Sequence, residues 1–154
     1  MSDNRDEKGG GDGLTEGGRS PSVVKNDMFE PMLAACPTFV PAWRAFLDER
    51  EDSKEGLPYY LALGDLARHL VEQLDAGTTN EFEAVFDVVE RWHCEGNSYV
   101  KEAATIGLLE GIQNIAGNRG IDPRRFECWL KPESKRWWDK LNRFWNGEDI
   151  LSDN

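Results

Sequence analysis

The chain has 154 residues, enough for one domain with a sizeable core, and a formal net charge of -11. No stretch approaches the length of a membrane-spanning helix, and the N-terminus lacks the apolar run of a signal peptide, so we expect a cytoplasmic protein that is not bound to a membrane. The acidity argues against a nucleic-acid partner, because a negative surface repels the phosphate backbone.

The charge is unevenly distributed along the chain. Residues 26–121 carry seven basic and seventeen acidic groups, whereas residues 122–146 carry seven basic and four acidic ones. A body of this kind attracts basic partners, although acidic residues can also serve solubility alone. The widely spaced Cys36, Cys94 and Cys128 are typical of reduced, mostly buried thiols rather than of a disulfide framework.

Both ends of the chain are predicted to be disordered. Residues 1–25 are rich in Gly, Ser, Asp and Lys and bury too little apolar surface to offset the entropy cost of ordering. We therefore expect a disordered arm over residues 1–25, a single helical domain over residues 26–147 and a disordered acidic tail over residues 148–154.

Three helices are predicted in the first half, each with apolar residues at steps of three and four. The first ends at Pro37, because proline cannot continue a helix. The second takes Thr38 as its cap and ends in the charged run Asp48–Glu55. The third runs from Pro58 to Gly77.

The clearest helical pattern is a consecutive pair, Glu81–Glu95 and Tyr99–Asn118. A side-chain oxygen of Thr78 or Thr79 can cap the first of these helices. Gly96 is predicted to stop it in the left-handed conformation, where glycine has no steric cost.

The second helix of this pair carries a stripe of small residues. Ala103, Gly107 and Gly111 lie four apart and share one face, so a neighbouring helix can approach closely. Polar residues interrupt the apolar run, which favours a core helix over a membrane dimer. Each mid-helix glycine costs about 1 kcal/mol relative to alanine, and close packing would offset that cost.

Two further helices are predicted near the C-terminus. Asp122 can cap a short one, and Pro132 opens the last, which Gly147 ends. Four of the six tryptophans lie between residues 129 and 145 among basic residues, a combination that can bind single-stranded nucleic acid. The helical spacing of Trp138, Leu141 and Trp145 favours core packing instead.

The sequence shows no persuasive strand pattern. We therefore predict an all-α fold of about seven helices, arranged as a helical bundle or a short HEAT-like stack of helix pairs. No nucleophile–base pair and no short metal-ligand spacing is present, and His69 and His93 are interpreted as structural. We expect no catalytic residue, no metal and no cofactor.

The leading functional hypothesis is a non-enzymatic domain that binds a basic protein. Its candidate contacts on the predicted helix Glu81–Glu95 are three exposed carboxylates, Glu83, Asp87 and Glu90. The charged run Asp48–Glu55 is a further candidate contact. One alternative is a ligand-binding or enzymatic pocket near Glu110, formed with Gln113, His69 or His93. The other is a structural adaptor subunit. Glu110, Gln113 and Asn114 are also candidates for a partner contact.

Four short motifs occur in order along the chain. They are Phe29…Cys36-Pro37-x-Phe39, Phe86-x-x-x-Glu90, Gly107-Leu108-Leu109-Glu110-x-x-Gln113-Asn114 and Trp137-Trp138-x-x-Leu141-x-x-Phe144-Trp145-x-Gly147. Together they resemble a bacterial helical domain family of unknown function over residues 28–147. The resemblance implies an all-helical fold and no established activity. By analogy alone, small proteins of this kind are similar to immunity proteins that neutralise toxins.

Overall fold

The computed structural model describes residues 21–51 and 56–147. Within these ranges the chain forms seven α-helices and no strand. They are α1 (Phe29–Ala35), α2 (Val40–Asp48), α3 (Tyr59–Ala76), α4 (Phe82–Glu95), α5 (Ser98–Glu102), α6 (Glu110–Asn118) and α7 (Pro132–Trp145). The predicted all-α fold of about seven helices is confirmed, whereas its HEAT-like arrangement stays a prediction. None of the described helices combines the length and the apolar character needed to cross a membrane.

Helix α3 packs against one long helix made of α5, a π-helical stretch Ala103–Leu109, and α6. The predicted small-residue face lies in this contact. A Cβ atom added to Gly107 would lie 2.7 Å from Leu63 Cδ1, and one added to Gly111 would lie 3.2 Å from Ala67 Cβ. The expectation of close helix packing is therefore confirmed, and the packing occurs within the chain.

The π-helical stretch was not predicted, and the expectation of one regular helix over Tyr99–Asn118 is wrong at its centre. The Glu110 N–H donates to the carbonyl of Thr105, five residues earlier instead of four. Such a turn holds one extra residue, and its sequence reads like that of an ordinary apolar helix. The wider turn is fixed by packing on both sides, because the residues of Ala103–Leu109 are almost all buried.

Contacts of the helical domain begin before residue 26. Residues 1–20 lie outside the described part of the chain, but Val23 is only 3% exposed and packs where α4 meets α5. Its N–H donates to the Glu95 carbonyl at 3.2 Å, and its own carbonyl accepts from the Asn97 N–H at 3.0 Å. This backbone bridge brings residues 21–25 of the predicted arm onto the helical body. The predicted tail, residues 148–154, also lies outside the described residues.

The bridge explains why the prediction of a left-handed Gly96 is wrong. Gly96 has φ -77° and ψ 155°, an extended conformation that pairs it with Val23. A Cβ atom at this position would clash with the Trp92 carbonyl oxygen and would lie 2.6 Å from Val100 Cγ1. Glycine is therefore needed here for space rather than for backbone conformation.

Two predicted threonine caps are also wrong. The N-cap of α4 is Glu81 and neither Thr78 nor Thr79, and the Thr78 hydroxyl donates to the Gln73 carbonyl at 3.4 Å. Thr38 lies inside the 3₁₀-helix Pro37–Phe39, and its hydroxyl contacts side chains of other elements. Thr78 thus bonds the end of the preceding helix α3, and Thr38 bonds side chains that are distant in sequence.

The C-terminal helices follow the prediction more closely. Asp122 caps its helix by accepting from the Arg124 N–H at 3.0 Å, although that helix, Pro123–Trp129, is 3₁₀ rather than α. Trp138 and Leu141 on α7 are fully buried, which confirms their core role. Trp145 is 51% exposed, so its assignment to the core is wrong; it lies in the last turn of α7.

The cysteines are all free thiols, but the expectation that most are buried is wrong. Cys36 is buried, whereas Cys94 and Cys128 are exposed. Cys94 lies on the outer side of α4, beside the buried His93, and Cys128 lies in the 3₁₀-helix before α7.

Candidate functional site

A cluster of polar side chains lies where the α1–α2 connection meets α3 and the start of α4; we call it the Thr38 cluster. Cys36 follows α1, His69 and Gln73 lie on one face of α3, and Glu81 precedes α4. The members of the cluster are Cys36, Thr38, His69, Gln73 and Glu81. His69 and Gln73 share a face because they lie four residues apart on a helix.

The Thr38 hydroxyl is the centre of the cluster. Its oxygen lies 2.6 Å from Glu81 Oε1, 2.8 Å from His69 Nε2 and 3.1 Å from Gln73 Nε2. Glu81 accepts from the Thr38 hydroxyl, from the Thr38 N–H at 3.3 Å and from the Cys36 thiol at 3.2 Å. One carboxylate therefore holds the α1–α2 connection against the beginning of α4.

The environment fixes the protonation states of the cluster. Burial raises the pKa of the Glu81 carboxyl, but hydrogen bonds from Thr38 and Cys36 outweigh burial and hold that pKa below its ordinary value. Burial, together with the hydrogen bond to Glu81, raises the pKa of the Cys36 thiol to about 12. Burial lowers the pKa of His69 against the opposing attraction of Glu81. At neutral pH the cluster holds a carboxylate, a thiol and a neutral imidazole.

These states limit the chemistry of the cluster. A thiol with a raised pKa is a poor nucleophile, because the thiolate is the reactive form. The cluster does, however, bring together sulfur, nitrogen and oxygen donors. Ligand atoms of Cys36, His69 and Glu81 all lie within 4.8 Å of one another.

Sequence reasoning did not find this cluster. Its three donor residues come from separate elements and show no short metal-binding spacing. The expectation of no metal stays a prediction, as does the expectation of no cofactor. The one available signal was polar residues at the ends of apolar helical runs, and that signal is shared by ordinary caps and turns.

The carboxylates predicted on α4 are engaged by α7 and the residue that precedes it. Lys131 Nζ lies 2.6 Å from Glu83 Oε2 and 3.4 Å from Asp87 Oδ1. Glu90 accepts from the N–H groups of Glu133 and Ser134 at 3.0 and 2.9 Å. Burial raises the Glu90 pKa, but these hydrogen bonds outweigh it and keep the carboxyl ionised. The three residues thus hold the start of α7 in place.

The second predicted set lies on α6. Glu110 is partly buried, and burial raises its pKa. Gln113 is buried, and its Nε2 donates to the Trp138 carbonyl at 3.3 Å, which ties α6 to α7. Asn114 is exposed. The three residues therefore differ in environment, and Gln113 serves the packing of the two helices.

The two histidines form hydrogen bonds in other parts of the fold. His69 belongs to the Thr38 cluster. His93 is 3% exposed; its Nδ1 lies 2.9 Å from Ser134 Oγ, and its Nε2 lies 3.0 Å from Thr105 Oγ1. Burial lowers the His93 pKa to about 4. These hydrogen bonds give no support to a pocket in which a histidine acts with Glu110.

An open groove of about 320 Å³ lies between α2 and α3. Its charged side chains are Glu49, Asp65, Glu72 and Arg68, so acidic groups outnumber basic ones, and His69 joins the groove to the Thr38 cluster. The three carboxylate side chains are 70%, 43% and 52% exposed. Each has an arginine neighbour: Arg50 at 3.2 Å from Glu49, Arg68 at 3.0 Å from Asp65 and Arg119 at 3.7 Å from Glu72.

The chain belongs to a family described as a domain of unknown function, DUF7674, whose model matches residues 29–146. This match confirms the resemblance to a domain family of unknown function, whereas its bacterial origin and the analogy to immunity proteins stay predictions. No curated protein and no solved structure matches the chain.

Proposed function

We propose that this member of the DUF7674 family is a non-enzymatic, acidic helical domain that binds a basic protein through the groove between α2 and α3. The observation that carries the proposal is the lining of that groove, which includes three exposed carboxylates and one arginine; two further arginines pair with the carboxylates from outside the lining. A groove of this charge complements a lysine or arginine side chain of a partner.

The ion pairs within the groove do not oppose such binding. Exposed ion pairs contribute only about 0–1 kcal/mol, because water screens them and side-chain entropy opposes them. Arg68 and Arg119 can therefore turn away from their carboxylates when a partner supplies a better-placed cation, whereas Arg50 is also held by the Phe46 carbonyl at 3.0 Å. The groove also includes Glu49, which belongs to the run Asp48–Glu55 predicted as a contact; residues 52–55 lie outside the described part.

The carboxylates of α4 are weaker candidates than the groove. Glu83 and Asp87 flank Lys131, and Glu90 accepts backbone N–H groups at the start of α7. A partner cation at these positions would have to compete with groups that the fold itself supplies. We therefore place the main contact at the groove and treat Glu83 and Asp87 as secondary contacts.

The test compares two triple variants with the same net charge. The groove variant carries Glu49→Gln, Asp65→Asn and Glu72→Gln. The control variant carries Asp27→Asn, Glu30→Gln and Glu102→Gln, three exposed acids on other elements. Binding of an arginine-rich peptide, and capture of proteins from the source cell's lysate, are measured for both variants at low and high salt.

We expect the groove variant to lose peptide binding and its captured basic protein, and the control variant to keep both. The remaining binding should weaken as salt rises, since salt screens charge attraction. Equal losses in the two variants would show that net charge alone attracts basic molecules. Equal retention would show that the groove is not the contact. Either result would refute the proposal.

The proposal includes an antidote role, in which the basic partner is a toxin that the domain blocks. Such a partner, expressed alone, should arrest growth, and coexpression of the wild-type domain but not of the groove variant should restore it.

We also propose that the protein is located in the cytoplasm. The three free thiols support that location, because thiols persist in reducing compartments.

A further inference from the structure

The Thr38 cluster brings together three kinds of side chain that bind transition metals. The thiol of Cys36, the imidazole of His69 and the carboxylate of Glu81 have ligand atoms within 4.8 Å of one another. Zinc binds all three of these side-chain types, and a mixed set of sulfur, nitrogen and oxygen donors suits it better than it suits magnesium or calcium.

A buried amide lies next to these three ligand atoms. Gln73 is only 9% exposed, and its Oε1 has no hydrogen-bond partner. Its Nε2 lies 3.1 Å from Thr38 Oγ1, so the amide group faces the cluster. A half-turn of the amide exchanges the two atoms and places the oxygen donor there. Structural zinc sites have four ligands in a tetrahedron, and Gln73 Oε1 would be the fourth.

We propose that Cys36, His69, Glu81 and Gln73 bind one zinc ion, which holds the α1–α2 connection against α3 and α4. The role is structural, since a closed site with four protein ligands has no position for a substrate. The zinc site does not rest on the proposed function: its ligand His69 also lines the groove, but the groove carboxylates are not among its ligands.

The Thr38 hydroxyl competes with the ion for the same space. It lies 2.6 Å from Glu81 Oε1 and 2.8 Å from His69 Nε2, among the groups that would bind the ion. Thr38 is exposed, so its hydroxyl can turn to water and leave a path for the ion. When Cys36 sulfur bonds to zinc, its proton passes to the solvent.

The test uses the full-length chain without an affinity tag, freed of metal by a chelator and titrated with Zn²⁺ alone or Co²⁺ alone. We expect one ion per chain. The cobalt complex should show thiolate-to-cobalt charge-transfer absorption and the intense visible bands of a tetrahedral site. Zinc should also raise the Tm, and EDTA should reverse that rise, because a ligand that binds the folded state stabilises it.

Variants then assign the ligands. Cys36→Ser, His69→Gln and Glu81→Gln should each weaken zinc binding roughly tenfold or more. The control, Cys94→Ser with Cys128→Ser, removes two exposed thiols and should leave zinc binding unchanged. Thr38→Ala removes the competing hydroxyl and should bind zinc at least as tightly as the wild type, even if it is less stable without metal.

Three results would overturn the proposal. The wild-type chain could bind no ion, its cobalt complex could lack the thiolate band, or the control double variant could lose binding as completely as Cys36→Ser. The first two measurements use the wild-type protein alone, so they decide the matter even if a ligand variant fails to fold.

Discussion

The buried His93 should make the protein sensitive to mild acid. Its imidazole is 3% exposed, and burial lowers its pKa from 6.5 to about 4. In the unfolded chain the ring takes up a proton near pH 6.5, while in the folded chain it stays neutral. Because the unfolded state then binds more protons, stability falls as pH drops from 6.5 towards 4.

The size of this loss follows from the pKa difference. A shift from 6.5 to about 4 corresponds to a full loss of about 3 kcal/mol at low pH. Between pH 7 and pH 5 the loss from this one group is about 2 kcal/mol. For a single domain that loss is a substantial part of the total stability, which is typically about 5–15 kcal/mol.

The assay is urea unfolding of the wild type and of His93→Gln at pH 7, 6 and 5. Glutamine keeps polar atoms near Ser134 and Thr105 but does not titrate. The wild type should be the more stable protein at pH 7, and its advantage should shrink by about 2 kcal/mol at pH 5. A carboxyl group with a lowered pKa that has no contact with His93, such as Glu81, affects both proteins alike. Parallel stability profiles for the two proteins would refute the reasoning.

Two further predictions concern single contacts. Gly96→Ala should lower the free energy of urea unfolding by about 3 kcal/mol, because its Cβ would clash with backbone and with a buried valine. Gly64→Ala, whose Cβ would have no atom within 4 Å, should instead stabilise α3 by up to about 1 kcal/mol. A Gly96→Ala variant as stable as the wild type would contradict the clash. Glu90→Gln should cost about 1–2 kcal/mol and should fray the start of α7 in amide exchange, because the carboxylate accepts two backbone N–H groups there. Glu83→Gln removes only an exposed ion pair and should cost less than about 1 kcal/mol; equal costs for the two variants would contradict this difference.

The helices were predictable because their signal is local. The apolar positions of α4 recur every three or four residues, and they are buried in the structure. They are Phe82, Val85, Phe86, Val89 and Trp92. The caps were less predictable, because a hydroxyl such as that of Thr38 can bond a backbone amide of its own helix or a side chain from another element. Only the packed structure decides between the two.

The candidate sites depend on contacts that are distant in sequence. Cys36 and Glu81 are joined by a 3.2 Å contact across 45 residues, and no spacing rule connects them. The exposure of Glu83 and Asp87 is a local property of α4, and the helical pattern correctly places both residues on its outer face. What the pattern could not indicate was that Lys131, more than forty residues later, would lie between them.

The π-helical stretch Ala103–Leu109 has a consequence for how this chain can change length. Its extra residue is taken up by the wider turn. Removing one residue there would let the turn close to α-helical geometry, so α6 would keep its orientation relative to α5. Gly111 would still face Ala67, and Gln113 would still face the carbonyl of Trp138. A relative that lacks this residue should therefore have a regular α-helix here and keep both contacts.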